Sequence, residues 1–125
     1  RPRRVGYLDC VASRYGCMLQ GTTDVVFSLL DVLGYLDEIP VVTSYLCDGR
    51  EITDFPTTPT LNKCQPVVTR LKGWKNDIRE IRRYEDLPQE ARDYVDFVER
   101  QLGYPITLVS NGPGRDYILR RTPKI

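Results

Sequence analysis

Apolar residues return at helical spacing near the start of the chain: Leu8, Val11, Ala12, Tyr15, Met18 and Leu19. That period lines one face of an α-helix. Asp9 falls in its first turn and Gly21 follows as a stop. The pattern then changes to a nearly continuous apolar run at 24–30, which suits a buried strand ending at Asp31. Residues 32–36 read as a short loop or a helical turn. Two β-rich runs, 41–47 and 51–55, flank Asp48-Gly49, a pair that favours a tight hairpin because both turn residues need positive φ. A Pro/Thr-rich loop at 56–60 separates them from another short strand at 66–71. A second helix is expected at 88–102, with Leu87, Ala91, Tyr94, Val95, Val98 and Leu102 as its stripe. Pro88 suits its first position and Gly103 its C-terminal cap. Residues 105–109 form another buried strand, and 116–120 can pair as a last one.

The expected fold class is α/β: a mixed β-sheet with flanking helices and a β-hairpin. Two of its strands end in polar loops, at Asp31 and at Ser110. Ligands of open α/β sheets bind beyond the carboxyl ends of strands, so these loops and the arginine-rich start form the candidate site.

Composition narrows the chemistry. The length of 125 residues suits one domain, and 28% charged with 41% hydrophobic residues is the balance of a soluble globular protein. A net charge of +1 gives no whole-chain field for nucleic acid or an acidic membrane. No apolar run approaches the ~20 residues that span a bilayer. The chain opens on Arg1 rather than Met, which suggests a piece of something longer; a processed N-terminus is the alternative. There is no histidine, so Ser-His and Cys-His nucleophile pairs are excluded from this segment. Cys10, Cys17, Cys47 and Cys64 form no C-x-x-C pair, which argues against zinc. Without a secretory signal, all four are expected to be reduced and mostly buried.

Three features can carry binding chemistry. Arg1, Arg3 and Arg4 are either an anion clamp, through bidentate guanidinium forks, or a solvated basic end. Asp31 either presents two acceptors to one planar face or caps the following turn. Guanine offers the matching N1–H and exocyclic amino donors, and adenine does not. The run Ser110-Asn111-Gly112-Pro113-Gly114 either brings backbone N–H groups to a ligand or makes an ordinary tight turn. It lacks the spacing of a P-loop. The mixed charges of Glu80, Arg82, Arg83, Glu85 and Asp86 read as solvated surface, and Trp74 reads as a packing anchor.

The ordered set Arg1-Pro2-Arg3-Arg4-Val5-Gly6-Tyr7-Leu8-Asp9, Leu30-Asp31-Val32-Leu33, Asp37-Glu38-Ile39, Asp48-Gly49-Arg50-Glu51-Ile52, Gly73-Trp74 and Val109-Ser110-Asn111-Gly112-Pro113 with Arg115-Asp116 resembles the adenylosuccinate synthetases, over essentially the whole chain. The resemblance implies the C-terminal domain, residues 1–125, of a larger α/β ligase. That ligase joins IMP to L-aspartate at the expense of GTP, with Mg2+, in the cytoplasm and as a homodimer. It implies that Arg1 reaches the IMP ribose and the aspartate, and that Arg3 holds the aspartate carboxylate near the GTP phosphates. It assigns the guanine site to Leu29, Leu30 and Asp31 and to the loop of Ser110, Asn111 and Gly112. Two departures stand out. Leu29 replaces the family's usual lysine, and Gly114 its usual aspartate. The phosphate loop, the catalytic Asp and His and the metal ligands are implied to lie in an N-terminal part, so no catalytic or metal residue is expected here. The fragment alone would be inactive; the alternative is an inactive purine-nucleotide-binding relative.

Overall fold

A computed structural model describes residues 1–125. The chain first pairs β1, Leu8–Asp9, and enters α1, Cys10–Gln20. Asp9 is the N-cap rather than a first-turn residue: its Oδ1 accepts the Ala12 N–H at 3.0 Å, satisfying a donor the helix cannot pair internally. Gly21 closes the helix in the left-handed region at φ 63°. The expected apolar stripe divides. Cys10 and Val11 are buried, while Tyr15, Met18 and Leu19 stay at the surface.

The long β3, Glu38–Cys47, organises the first sheet. One edge carries the antiparallel β5, Cys64–Lys72, along its whole length. The other edge is shared by β1, in parallel, and by β4, Arg50–Ile52, in the antiparallel sense. The β3–β4 turn is the predicted hairpin, with φ of 50° at Asp48 and 78° at Gly49. The Pro/Thr-rich stretch, read as a loop, contains a one-turn helix α2, Thr58–Leu61, where Pro59 occupies a first-turn position that needs no N–H donor.

The β3–β5 register also corrects the reading of four reduced thiols. Cys47 and Cys64 are directly opposed, with Cα atoms 4.3 Å apart, and are joined as a disulfide. Nothing in their sequence spacing signals that pairing. Cys10 and Cys17 remain free. Burial, reinforced by the neighbouring Asp9 charge, pushes the Cys10 thiol up to about 11, so it stays protonated near neutrality.

The second sheet has the order β2-β6-β7. β2, Val25–Phe27, runs parallel to β6, Ile106–Ser110, and β7, Ile118–Arg120, pairs antiparallel to β6. The apolar run at 24–30 is therefore not a seven-residue buried strand. It leaves the sheet after Phe27, and as an edge strand it leaves Val26 59% exposed. Between the sheets lies α3, Gln89–Leu102, with Pro88 at its N-cap and Gly103 at φ 73° behind it. Ala91, Tyr94, Val95, Val98 and Leu102 of α3 join Ile39, Val41, Ile106, Val109, Leu119 and Trp74 in one core. Trp74 is thus a packing residue, its ring centroid 6.0 Å from that of Tyr94. The α/β class, with mixed sheets, flanking helices and a hairpin, is as the sequence pattern predicts.

Candidate functional site

Because β2 and β6 are parallel neighbours, their carboxyl ends open on the same side of one sheet. The Asp31 turn and the loop 110–114 start there. Sequence separates these segments by about 80 residues, and the sheet brings them together at the position where open α/β sheets receive ligands.

The Asp31 half is a 3-10 turn, Leu30–Leu33. Leu30 is fully buried and anchors it in the core. The chain reverses at Leu29, which holds left-handed φ 64° and ψ 28° and is 64% exposed. Leucine rarely adopts that conformation. Core anchoring on one side and β2 on the other hold it there. Asp31 is half-buried, and its carboxylate accepts no hydrogen bond from any group of the chain; only its backbone C=O is engaged, by the Gly34 N–H at 3.2 Å.

The other half is built on Asn111, which is 0% exposed. Its Nδ2 donates to the carbonyls of Ile78 at 2.7 Å and Ile81 at 3.0 Å, and its backbone N–H donates to the Tyr117 carbonyl at 3.0 Å. The Asn111 side chain therefore secures the loop from beneath. Ser110 Oγ–H donates to the Gly112 carbonyl at 2.8 Å, closing a local turn. Gly112 lies flat against Tyr117: a Cβ there would fall 2.2 Å from Tyr117 Cδ1. Gly112→Ala is expected to push the Tyr117 ring aside and to cost about 1–3 kcal/mol, the range for overpacking a well-fitted contact. Urea unfolding of the variant beside the parent measures it.

Sequence reading missed a third wall. The loop 75–83 runs between the two halves, touching Asn111 as above and approaching the Asp31 turn at Gly34, where a Cβ would lie 2.7 Å from the Asn76 carbonyl oxygen. Arg82 of this loop lies over the Tyr117 ring at 4.8 Å. The residues 80, 82, 83, 85 and 86 are exposed, as their mixed charge predicts. The hydrogen bonds of the Asn111 amide give no signal in sequence, since asparagine after a strand equally marks a turn.

Arg1, Arg3 and Arg4 lie on an exposed arm, residues 1–7, outside any regular element. The structure does not bring their side chains to Asp31. It does place the end of the arm beside the Asp31 turn: a groove of about 640 Å³ is walled by Val5 and Tyr7 on one side and by Leu29, Val32 and Tyr35 on the other. No group of three or more Asp, Glu, Cys or His side chains converges to hold a metal ion, and no helix is long and apolar enough to cross a membrane.

Comparison with known proteins adds a separate line of evidence. The family profile described as adenylosuccinate synthetase matches residues 1–119. The adenylosuccinate synthetase of Chlorobium chlorochromatii is 48% identical over 117 residues, covering 93% of this chain and 27% of that protein. That of Salinibacter ruber is 44% identical over 120 residues, covering 95% and 27%. Among solved structures, the fully ligated adenylosuccinate synthetase from Plasmodium falciparum superposes with a TM-score of 0.92 at 28% identity, over 98% of this chain and 30% of that one. The chain thus spans about a quarter of the length of the curated relatives it matches.

Proposed function

Since this chain belongs to the adenylosuccinate synthetase family, we propose that it is the C-terminal, guanine-reading segment of a GTP-dependent ligase that joins IMP and L-aspartate into adenylosuccinate. The observation that carries this reading is the shared mouth of β2 and β6. It sets a half-buried carboxylate with no partner in the chain, Asp31, beside a loop of close backbone, 110–114. In this reading Asp31 accepts from N1–H and the amino group of guanine. Leu29 covers the flat base with its exposed side chain. Leu30 holds the turn in the core, and Ser110 and Gly112 close over the base while Asn111 keeps their loop in place.

Arg1 and Arg3 belong to the same proposal. In this reading the exposed arm folds over anionic substrates, Arg1 towards IMP and aspartate and Arg3 towards the aspartate carboxylate and the GTP phosphates. A guanidinium fork suits both anions. In the proposed reaction the GTP γ-phosphate is transferred to O6 of IMP, and the aspartate amine then displaces it. This segment supplies positioning and charge stabilisation to that sequence. Mg2+ would neutralise phosphate charge when bound, but the residues of this segment do not fit it, since no acidic cluster converges. Its ligands are assigned to the remainder of the protein, together with the phosphate loop and the catalytic groups. The parent is read as a cytoplasmic homodimer. A second reading, an inactive relative that binds purine nucleotides, draws on Leu29 and Gly114, where the resemblance implies lysine and aspartate.

The full-length protein is expected to form adenylosuccinate from IMP, aspartate and GTP, while residues 1–125 alone form none. Product from the isolated segment contradicts the assignment of roles; nucleotide binding without turnover by the full-length protein favours the inactive relative. Arg3→Ala in the full-length protein is expected to cost about 1.5–3 kcal/mol in kcat/KM for aspartate, the worth of a charge-assisted contact. Folding should be unchanged, because Arg3 is exposed. Unaltered kinetics with aspartate would remove Arg3 from the site.

A further inference from the structure

The loop 110–114 is folded around one aromatic ring. Tyr117 is half-buried at the end of a 3-10 turn, Arg115–Tyr117, just before β7. A Cβ on Gly112 would fall 2.2 Å from its Cδ1, and a Cβ on Gly114 would fall 3.5 Å from its Cδ2. The ring therefore turns one edge to each glycine. Its backbone is tied to the same loop: the Tyr117 N–H donates to the Gly114 carbonyl at 3.1 Å, and the Tyr117 carbonyl accepts the Asn111 N–H at 3.0 Å. The loop 75–83 then covers the ring with a cation. The Arg82 guanidinium carbon lies 4.8 Å from the ring centroid, inside the range of a cation–π contact. Arg82 is exposed but held, because its Nη1 donates to the carbonyls of Arg79 and, at 3.1 Å, of Ile81. The Ile81 carbonyl also accepts from the Asn111 amide at 3.0 Å. Arg82 and Asn111 thus meet at one carbonyl, and the ring sits between that anchor and the two glycines.

Glycines at 112 and 114 carry no side chain that could fix their own backbone, and glycine loses the most conformational freedom on ordering. The shape of the loop must come from what it lies against. We propose that Tyr117 and Arg82 are positioning residues for GTP: the capped ring is the template on which the backbone of 110–114 takes the shape that closes over the base. Neither side chain touches the nucleotide; both act through that backbone. The inference rests on the guanine reading of this site. Without the ring, the loop has more conformations to lose on closing, and that ordering cost weakens binding of the nucleotide.

The test is a mutant cycle in the full-length protein, read as KM for each substrate and kcat. Tyr117→Ala is expected to raise KM for GTP by about tenfold, with KM for IMP and aspartate and kcat little changed. Tyr117→Leu, which keeps apolar bulk and so guards against simple unfolding, should also raise it, whereas Tyr117→Phe should restore most of the loss because it keeps the ring. Arg82→Ala should raise KM for GTP by about threefold, the scale of an exposed cation–π contact. Added to Tyr117→Ala, it should have no further effect. If Arg82→Ala costs as much without the ring as with it, the arginine does not act through Tyr117 and the inference is overturned. It is overturned as well by an unchanged KM for GTP in Tyr117→Ala and Tyr117→Leu, or by a rise in the KM of all three substrates alike. Asp31→Ala separates the two levels of the argument. A raised KM for GTP there alongside an inert Tyr117 leaves the guanine reading standing and removes only this inference. No effect of Asp31→Ala removes both.

Discussion

Replacing Arg121 with alanine is expected to destabilise the fold by about 3–5 kcal/mol, the cost of leaving a buried charge without its partner. Arg121 is 5% exposed and Glu99 0%. The Arg121 guanidinium donates to Glu99 at 2.6 and 3.0 Å, to Asp96 at 2.7 Å and to the Ile106 carbonyl at 2.8 Å. Glu99 in turn accepts the backbone N–H of Ile106 at 2.8 Å and of Lys124 at 2.9 Å. One ion network thus fastens the chain after β7 to α3 and to the start of β6. Small domains hold only about 5–15 kcal/mol in total, so this loss is a large share. Chemical unfolding at neutral pH measures it, and a change below about 1 kcal/mol, the worth of a surface pair, would show that the network is dispensable.

The same network sets an acid limit. Burial alone would raise the Glu99 carboxyl, but hydrogen bonds from Arg121 and from two backbone amides outweigh it and hold it below its ordinary 4.5. Asp96 is likewise held below 3.8, burial being outweighed by Lys124 and Arg121. A carboxyl lowered in the folded state contributes stability that is complete above its unfolded value and is lost as pH falls through the folded one. Stability should therefore begin to fall below about pH 4.5 in the parent, and the fall should be shallower in Arg121→Ala.

None of this network was legible beforehand. Asp96 and Glu99 sit on a helix whose stripe marks only Ala91, Tyr94, Val95, Val98 and Leu102 as core, and charged residues on such a helix normally face water. Sequence shows local periodicity and turn chemistry. It therefore revealed both long helices, the Gly21 and Gly103 caps, the Asp48-Gly49 hairpin and the approximate place of most strands. It could not show which strands are neighbours. The opposition of Cys47 and Cys64 and the adjacency of β2 and β6 are facts of register, and both appear only in the fold. The run at 24–30 misled for a related reason. Uniform apolarity cannot tell a strand from a strand followed by a buried turn, and the break at Leu29 is imposed by the anchoring of Leu30. In the candidate site, Asp31 and the loop 110–114 were visible as polar ends of apolar runs. The inward aim of the Asn111 amide and the wall at 75–83 were not, because both depend on contacts between segments about 30 residues apart.

The second large effect concerns Asp31 itself. One carboxylate can accept from two adjacent donors, and guanine presents such a pair. Asp31→Asn replaces one acceptor by a donor, so one hydrogen bond to guanine becomes a donor–donor contact. GTP is expected to lose about 1–3 kcal/mol of binding, roughly fivefold to 150-fold. Xanthosine triphosphate carries a carbonyl where guanine carries its amino group, and the new amide can donate to it. The fold should survive, since the Asp31 carboxylate is bonded to nothing in the chain and Leu30 anchors the turn. The decisive measurement is kcat/KM for GTP and for xanthosine triphosphate in the full-length parent and in Asp31→Asn. The guanine reading predicts that the ratio swings towards xanthosine triphosphate by at least tenfold or so. An unmoved ratio would mean that Asp31 only shapes its turn and does not read the base.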